Sequence, residues 1–242
     1  MAGRMDGIRT VGFDLDYTLW DQDAFFGTFF RAVADEFGRR LGCGPRRFVQ
    51  AGAAALEQLT PAHSGLFDRT LALVGAWHPR LVAELVDRYR RHRPPMAPYP
   101  GARTALDRLR THGCRLFLVT DGHPPTQRYK VEALGLDPCF DAQVFTGELP
   151  EGQQKPSPAP FRRACALLAV PPERCLYVGD HPALDVPGPR SLGMVTAGVA
   201  TGPFARRSPS PDLAPHLRLA ALGELADRLV DPWARRLAGS AP

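Results

Sequence analysis

The chain has 242 residues, 44% of them hydrophobic and 23% charged, enough for one sizeable α/β domain or a core carrying a smaller inserted domain. There is no fixed repeat, and the 25 prolines and 23 glycines are dispersed, which excludes collagen-like, coiled-coil and wholly disordered classes. The net charge of +5 is carried by 28 arginines and two lysines, Lys130 and Lys155, and reads as compositional bias over solvated faces, with no nucleic-acid partner.

In chain order, Thr10 to Leu15 is a short β-prone run ending in acidic residues and is expected as a buried strand. Helical spacing then takes over from Asp21 to His92. Phe26, Phe30, Val33, Phe37 and Leu41 mark a first helix, and Pro45 to Leu59 a second, with proline near its start. A third is expected over Leu66 to Gly75 and a fourth over Pro79 to Arg91. Arg88, Arg90 and Arg91 close that fourth helix, where cations oppose the macrodipole. The proline-rich stretch Pro94 to Gly101 stops helix and reads as a hinge.

Beyond it, β and α patterns alternate: helix Ala102–His112, strand Arg115–Thr120, helix Thr126–Leu134, strand Ala142–Phe145, helix Ala159–Leu168, strand Cys175–Val178 and strand Met194–Val199. Pro203 to Pro215 reads as loop, and Leu217 to Leu237 as one or two closing helices. Such alternation implies a mostly parallel sheet with helices on both faces. The fold class is therefore α/β, a Rossmann-like parallel-sheet core from residues 1–19 and 96–242, interrupted by an all-helical domain over residues 20–95. No apolar run approaches the roughly 18 residues of a membrane span, and Met1 to Arg9 lacks a signal-peptide h-region. Five widely spaced cysteines without a CxxC pair suit reduced thiols in a cytoplasmic protein.

Ligands of such sheets bind beyond the carboxyl ends of the strands, and four such places carry reactive side chains. They are Asp14-Leu15-Asp16-Tyr17-Thr18, Thr120-Asp121-Gly122, Lys155-Pro156, and Gly179-Asp180 with Asp185. If the first strand persists, alternation puts Asp14 and Asp16 on one side. Each alone is an ordinary strand end, because Asp, Thr and Gly favour turns and caps; jointly and in order they suggest phosphoryl chemistry. Carboxylates are hard ligands suited to Mg²⁺, and a carboxylate can attack phosphorus. The repulsion between two anions then calls for Mg²⁺, Lys155, the Thr120 hydroxyl and backbone N–H groups. Asp16 fits a proton donor to the leaving oxygen and a base for water. A lysine at 155 in an arginine-using chain suits a compact ammonium among phosphate oxygens.

This set resembles the haloacid dehalogenase superfamily, in its phosphatase branch with a helical cap inserted after the first strand. Asp14-Leu15-Asp16-Tyr17-Thr18 matches the DxDxT motif, Thr120 the second motif, Lys155 in Lys-Pro-Ser-Pro the third, and Gly179-Asp180 with Asp185 the fourth. The resemblance spans Thr10 to Gly198. It implies Asp14 as nucleophile and metal ligand, and Asp16 as acid/base whose backbone carbonyl also binds metal. Asp180 is implied as a metal ligand, Asp185 as a direct or outer-sphere partner, and Thr120 with Lys155 as holders of the phosphoryl group. Thr18, Asp121 (through its N–H) and Gly122 complete the expected substrate-binding set. Asp121 stands where many members carry Asn. A carboxylate at position 16 speaks against a dehalogenase.

The expected activity is hydrolysis of a small metabolite phosphate through an aspartyl-phosphate. Candidate substrates are a sugar phosphate, a nucleotide 5′-phosphate or a biosynthetic intermediate, with the cap closing over the cleft. A phosphomutase of the same architecture and a catalytically silent binding module are the rivals. Members that cleave phosphonates resemble one another in a cap lysine, and none falls between Asp21 and His92. His123 and His181 are expected as loop histidines near the cleft mouth. Trp20, Phe25, Phe26, Phe29 and Phe30 are expected mostly as packing within the cap.

Overall fold

The computed structural model describes residues 7–59, 65–206 and 208–229. The chain forms two compact units, one from residues up to Asp21 and from Ala97 onward, the other from Gln22–Met96.

The first unit is built on six parallel strands. They are β1 (Thr10–Phe13), β2 (Arg115–Thr120), β3 (Ala142–Phe145), β4 (Cys175–Gly179), β5 (Val195–Val199) and β6 (Leu217–Leu219), in the spatial order β3-β2-β1-β4-β5-β6. The inner strands read as continuous apolar runs because a parallel sheet is covered on both faces; Leu116, Phe117, Leu118 and Val119 have no exposed surface. Helices follow strands as the alternating pattern requires. In this unit α1 covers Ala102–Thr111, α2 Pro124–Ala133 and α3 Ala159–Leu167. Helix α3 packs on β2 and β3 through Phe161, Ala164 and Cys165.

Two expectations about the sheet need correction. The first strand stops at Phe13, short of Leu15, although the Asp14 N–H still donates to the Val178 carbonyl at 2.9 Å. Leu217–Leu219 is not helix but an edge strand paired with β5, and helix resumes only over residues 222–229. A three-residue Leu-Arg-Leu run fits either period, and its neighbour in the sheet decided it. The part of that expected closing segment beyond residue 229 lies outside the described residues.

Because β1 lies between β2 and β4, its carboxyl end is flanked by theirs: Phe13 pairs with Leu118 on one side and Val178 on the other. Strand order reverses direction between β1 and β4, and such a switch point leaves a crevice where loops diverge.

The second unit is all helical: α4 (Gln22–Arg40), α5 (Pro45–Gln58), α6 (Leu66–Leu73) and α7 (Pro79–Arg91). Its core is aromatic. Phe26, Phe29, Phe30, Phe37 and Phe48 are buried together with Leu71 and Leu85, with Phe37 stacked on Phe48 at 5.7 Å and Phe26 on Tyr89 at 5.5 Å. The expected packing role of Phe25, Phe26, Phe29 and Phe30 accords with this, but Trp20 belongs to the other unit. Among the described residues no helix is long and apolar enough to cross a membrane.

Candidate active site

Three buried carboxylates meet at the carboxyl ends of β1 and β4. Asp14, Asp180 and Asp185 each offer an oxygen within 4.8 Å of the others. Strand β1 supplies Asp14 directly, and the turn after β4 supplies Asp180. Asp185 returns from the following helical turn to the same place, its Oδ2 accepting from the His181 N–H at 3.0 Å. Gly179 makes that return possible, since a Cβ there would lie 2.2 Å from the Asp185 carboxyl group. Thr18, fully buried, points its hydroxyl between Asp14 Oδ2 at 3.3 Å and Asp180 Oδ1 at 3.4 Å. It thus ties two carboxylates together instead of facing open space.

Lys155 is the cation of this cluster. Its Nζ donates to Asp14 Oδ1 at 2.5 Å and Asp185 Oδ1 at 2.9 Å. One ammonium against three buried carboxylates leaves excess negative charge, and the acidities follow. Burial, opposed by Lys155 and reinforced by Asp185 and Asp16, pushes Asp14 up to about 7. Burial and the charges of Asp14 and Asp185 raise Asp180 well above the usual carboxylate range. For Lys155, burial works the other way, yet Asp14 and Asp185 hold it well above an ordinary lysine. Asp180 Oδ2 is buried with no hydrogen-bond partner. A clustered, under-neutralised carboxylate set with an orphaned oxygen is what a hard divalent cation requires of its ligands, so these residues fit a metal.

Asp16 takes a different direction. Tyr17 adopts a left-handed conformation (φ 60°), and the Asp16 carboxylate turns to a second lysine. Lys130 Nζ donates to its Oδ1 at 2.9 Å and its Oδ2 at 3.0 Å. Trp20 Nε1 donates to Oδ1 at 2.9 Å and Gln127 Nε2 to Oδ2 at 3.0 Å. The two aspartates expected on one side thus each face their own lysine, while remaining close enough for Asp16 to raise Asp14. Gln127 also donates to the Thr120 hydroxyl at 2.7 Å, joining the end of β2 to this group.

The turn after β2 is shaped by Gly122 at φ 125°, where a side chain would also press on Gln127 at 3.3 Å. The Asp121 side chain accepts from Thr146 Oγ1 at 2.5 Å and from the Lys155 N–H at 3.3 Å. This side chain therefore braces the backbone of Lys155. His123 opens α2, its Nδ1 3.1 Å from Thr126 Oγ1. His181 lies against Phe204, ring centroids 4.3 Å apart.

Residues 8–193 match the haloacid dehalogenase-like hydrolase family. The chain is 35% identical over 180 residues to a phosphoserine phosphatase of Thermus thermophilus, an alignment covering 74% of this chain and 70% of that protein. It is 31% identical over 213 residues to a glyceraldehyde 3-phosphate phosphatase of Methanopyrus kandleri, covering 85% and 89%. The chain belongs to the haloacid dehalogenase superfamily, in its phosphatase branch. The fold of this phosphatase is also that of a crystal structure of a HAD phosphatase from Thermococcus onnurineus. The two are 24% identical, with a TM-score of 0.65 over 92% of this chain and 98% of that one.

Sequence reasoning on the phosphatase singled out Lys155 but passed over Lys130 and Gln127, and it gave Trp20 only a packing role. A signal was present for the first of these. The chain has two lysines against 28 arginines, and both are buried on the two aspartates of one motif.

Proposed function

We propose that the protein is a Mg²⁺-dependent phosphomonoesterase that passes a phosphoryl group first to Asp14 and then to water. The observation that carries this reading is the buried Asp14–Lys155–Asp180–Asp185 cluster, with a second carboxylate, Asp16, held apart from it by a separate lysine. Two carboxylates in different environments suit two different tasks.

In the first step an Asp14 oxygen attacks phosphorus, the P–O ester bond breaks, and the leaving oxygen takes a proton from the Asp16 carboxyl group. In the second, water attacks the aspartyl-phosphate and its proton passes to Asp16. The acyl-phosphate P–O bond then breaks, returning Asp14 as carboxylate and releasing phosphate. Lys155 and the Thr120 hydroxyl, with backbone N–H groups of the Asp121-Gly122 turn, hold the phosphoryl oxygens. Asp14, Asp180 and Asp185, with the Asp16 backbone carbonyl, would hold Mg²⁺, which supplies positive charge to the phosphoryl oxygens and to the nucleophile.

The substrate class is a small metabolite phosphate. Phosphoserine and glyceraldehyde 3-phosphate are the first to try, because the relatives named for them cover most of the chain. All five cysteines are unbridged, which suits a reducing compartment such as the cytoplasm.

The deciding experiment measures phosphate release from those two compounds, a sugar-phosphate and nucleotide panel, and p-nitrophenyl phosphate, with Mg²⁺ and with EDTA. Release that needs Mg²⁺ and vanishes in a folded Asp14→Asn variant is the expected result. Full activity in Asp14→Asn would sink the mechanism, and conversion to an isomeric phosphate without release would mark a mutase.

A further inference from the structure

We propose that Lys130, assisted by Trp20, is a positioning residue that fixes the Asp16 carboxylate for proton transfer; this rests on the reading of Asp16 as acid and base. The geometry is specific. Lys130 stands on α2 with Gln127 one turn before it, so both side chains emerge from one face of the helix. The Lys130 side chain is 1% exposed, whereas that of Asp16 is 19% exposed. The ammonium is therefore buried, while the carboxylate keeps part of its surface exposed.

Both Asp16 oxygens receive the same Nζ, at 2.9 and 3.0 Å, and each receives one further donor, from Trp20 or Gln127. Nζ also sits 5.3 Å from the centre of the Trp20 ring, so the indole both donates to the anion and faces the cation. Four donor contacts leave the carboxylate little rotational freedom. A single compact ammonium, carrying its charge at one point, contacts both oxygens in this closed space.

The consequence falls on the steps in which Asp16 moves a proton. With p-nitrophenyl phosphate the leaving phenolate needs no acid, so phosphoenzyme formation is independent of Asp16 and only its hydrolysis depends on it. With an alkyl phosphate such as phosphoserine, both steps depend on Asp16.

The test uses the full chain with Mg²⁺ and the variants Lys130→Met and Asp16→Asn. For Lys130→Met with p-nitrophenyl phosphate, kcat should fall about tenfold or more while kcat/KM stays within about twofold, and acid quenching should trap phosphoenzyme. With phosphoserine, or whichever alkyl phosphate the panel selects, both constants should fall. A merely structural role would lower kcat and kcat/KM equally for both substrates, through loss of active enzyme, and would overturn the proposal. If Asp16→Asn shows the aryl–alkyl split and Lys130→Met does not, Lys130 is not the positioning group. If Asp16→Asn shows no split, the acid/base reading itself fails and this proposal with it. Should Lys130→Met not fold, Trp20→Phe, which removes one donor and keeps the ring, carries the test. A smaller split of the same sign supports the proposal, and unchanged or equally lowered constants overturn it.

Discussion

At the residue scale the site is governed by how few cations serve how many buried anions. Lys155 answers two of the three clustered carboxylates directly, and Asp180 keeps a buried oxygen without a partner. An Asp whose folded pKa is raised destabilises the fold increasingly as the pH climbs from its unfolded to its folded pKa, because over that range the unfolded chain ionises it while burial keeps it protonated in the fold. Asp180→Asn should therefore raise the melting temperature of the EDTA-treated protein at neutral pH while abolishing the further rise expected of the wild type when Mg²⁺ is added. A thermal melt of both proteins with and without Mg²⁺ checks this; at a concentration 100 times Kd the ion should add about 2.7 kcal/mol to the wild type. Gly179→Ala makes the complementary prediction. Its Cβ would collide with the Asp185 carboxyl group and displace it from Lys155, so phosphate release should drop at least about tenfold, with a stability loss of about 1–3 kcal/mol from overpacking. Unaltered kinetics in a folded variant would show that Asp185 need not sit where it does. Asp14, Thr120 and Asp180 were legible as candidates because each stands at or just past the carboxyl end of a strand. Lys130 was not singled out, because it stands inside α2, away from any strand end, and only the scarcity of lysine set it apart.

At the element scale five of the six strands of the first unit were legible from apolar runs bounded by turn residues. The first helix of the second was legible from the spacing of Phe26, Phe30, Val33 and Phe37. Helix α5 began at its proline, Pro45, as read. The errors were one of end and one of type: β1 stops at Phe13, short of Leu15, and Leu217–Leu219 is a strand paired with β5 where helix was expected. Within the helical unit the energetic weight rests on aromatic contacts, with Phe48 fully buried between Phe30 and Phe37. Phe48→Ala should cost about 3–5 kcal/mol, measured by urea denaturation, and Phe48→Leu distinctly less. Equal losses for the two would mean that the site collapses around either side chain.

At the scale of the whole molecule, sheet topology gathers the chemistry. Motifs separated by more than a hundred residues in sequence converge because β2, β1 and β4 are neighbours and parallel strands present their carboxyl ends together. The sequence by itself determined the alternating α/β order, the helical segment after the first strand, and which side chains stand at strand ends. These are local properties, written in hydrophobic period and turn chemistry. Only the tertiary structure decided that Asp14 and Asp16 turn to different lysines, that Thr18 bridges carboxylates, and that Gln127 joins Asp16 to Thr120. Those choices depend on which donors and charges come within about 3 Å after the chain has packed. Burial then sets their strength, because charges removed from water must be met by the partners that packing happens to supply.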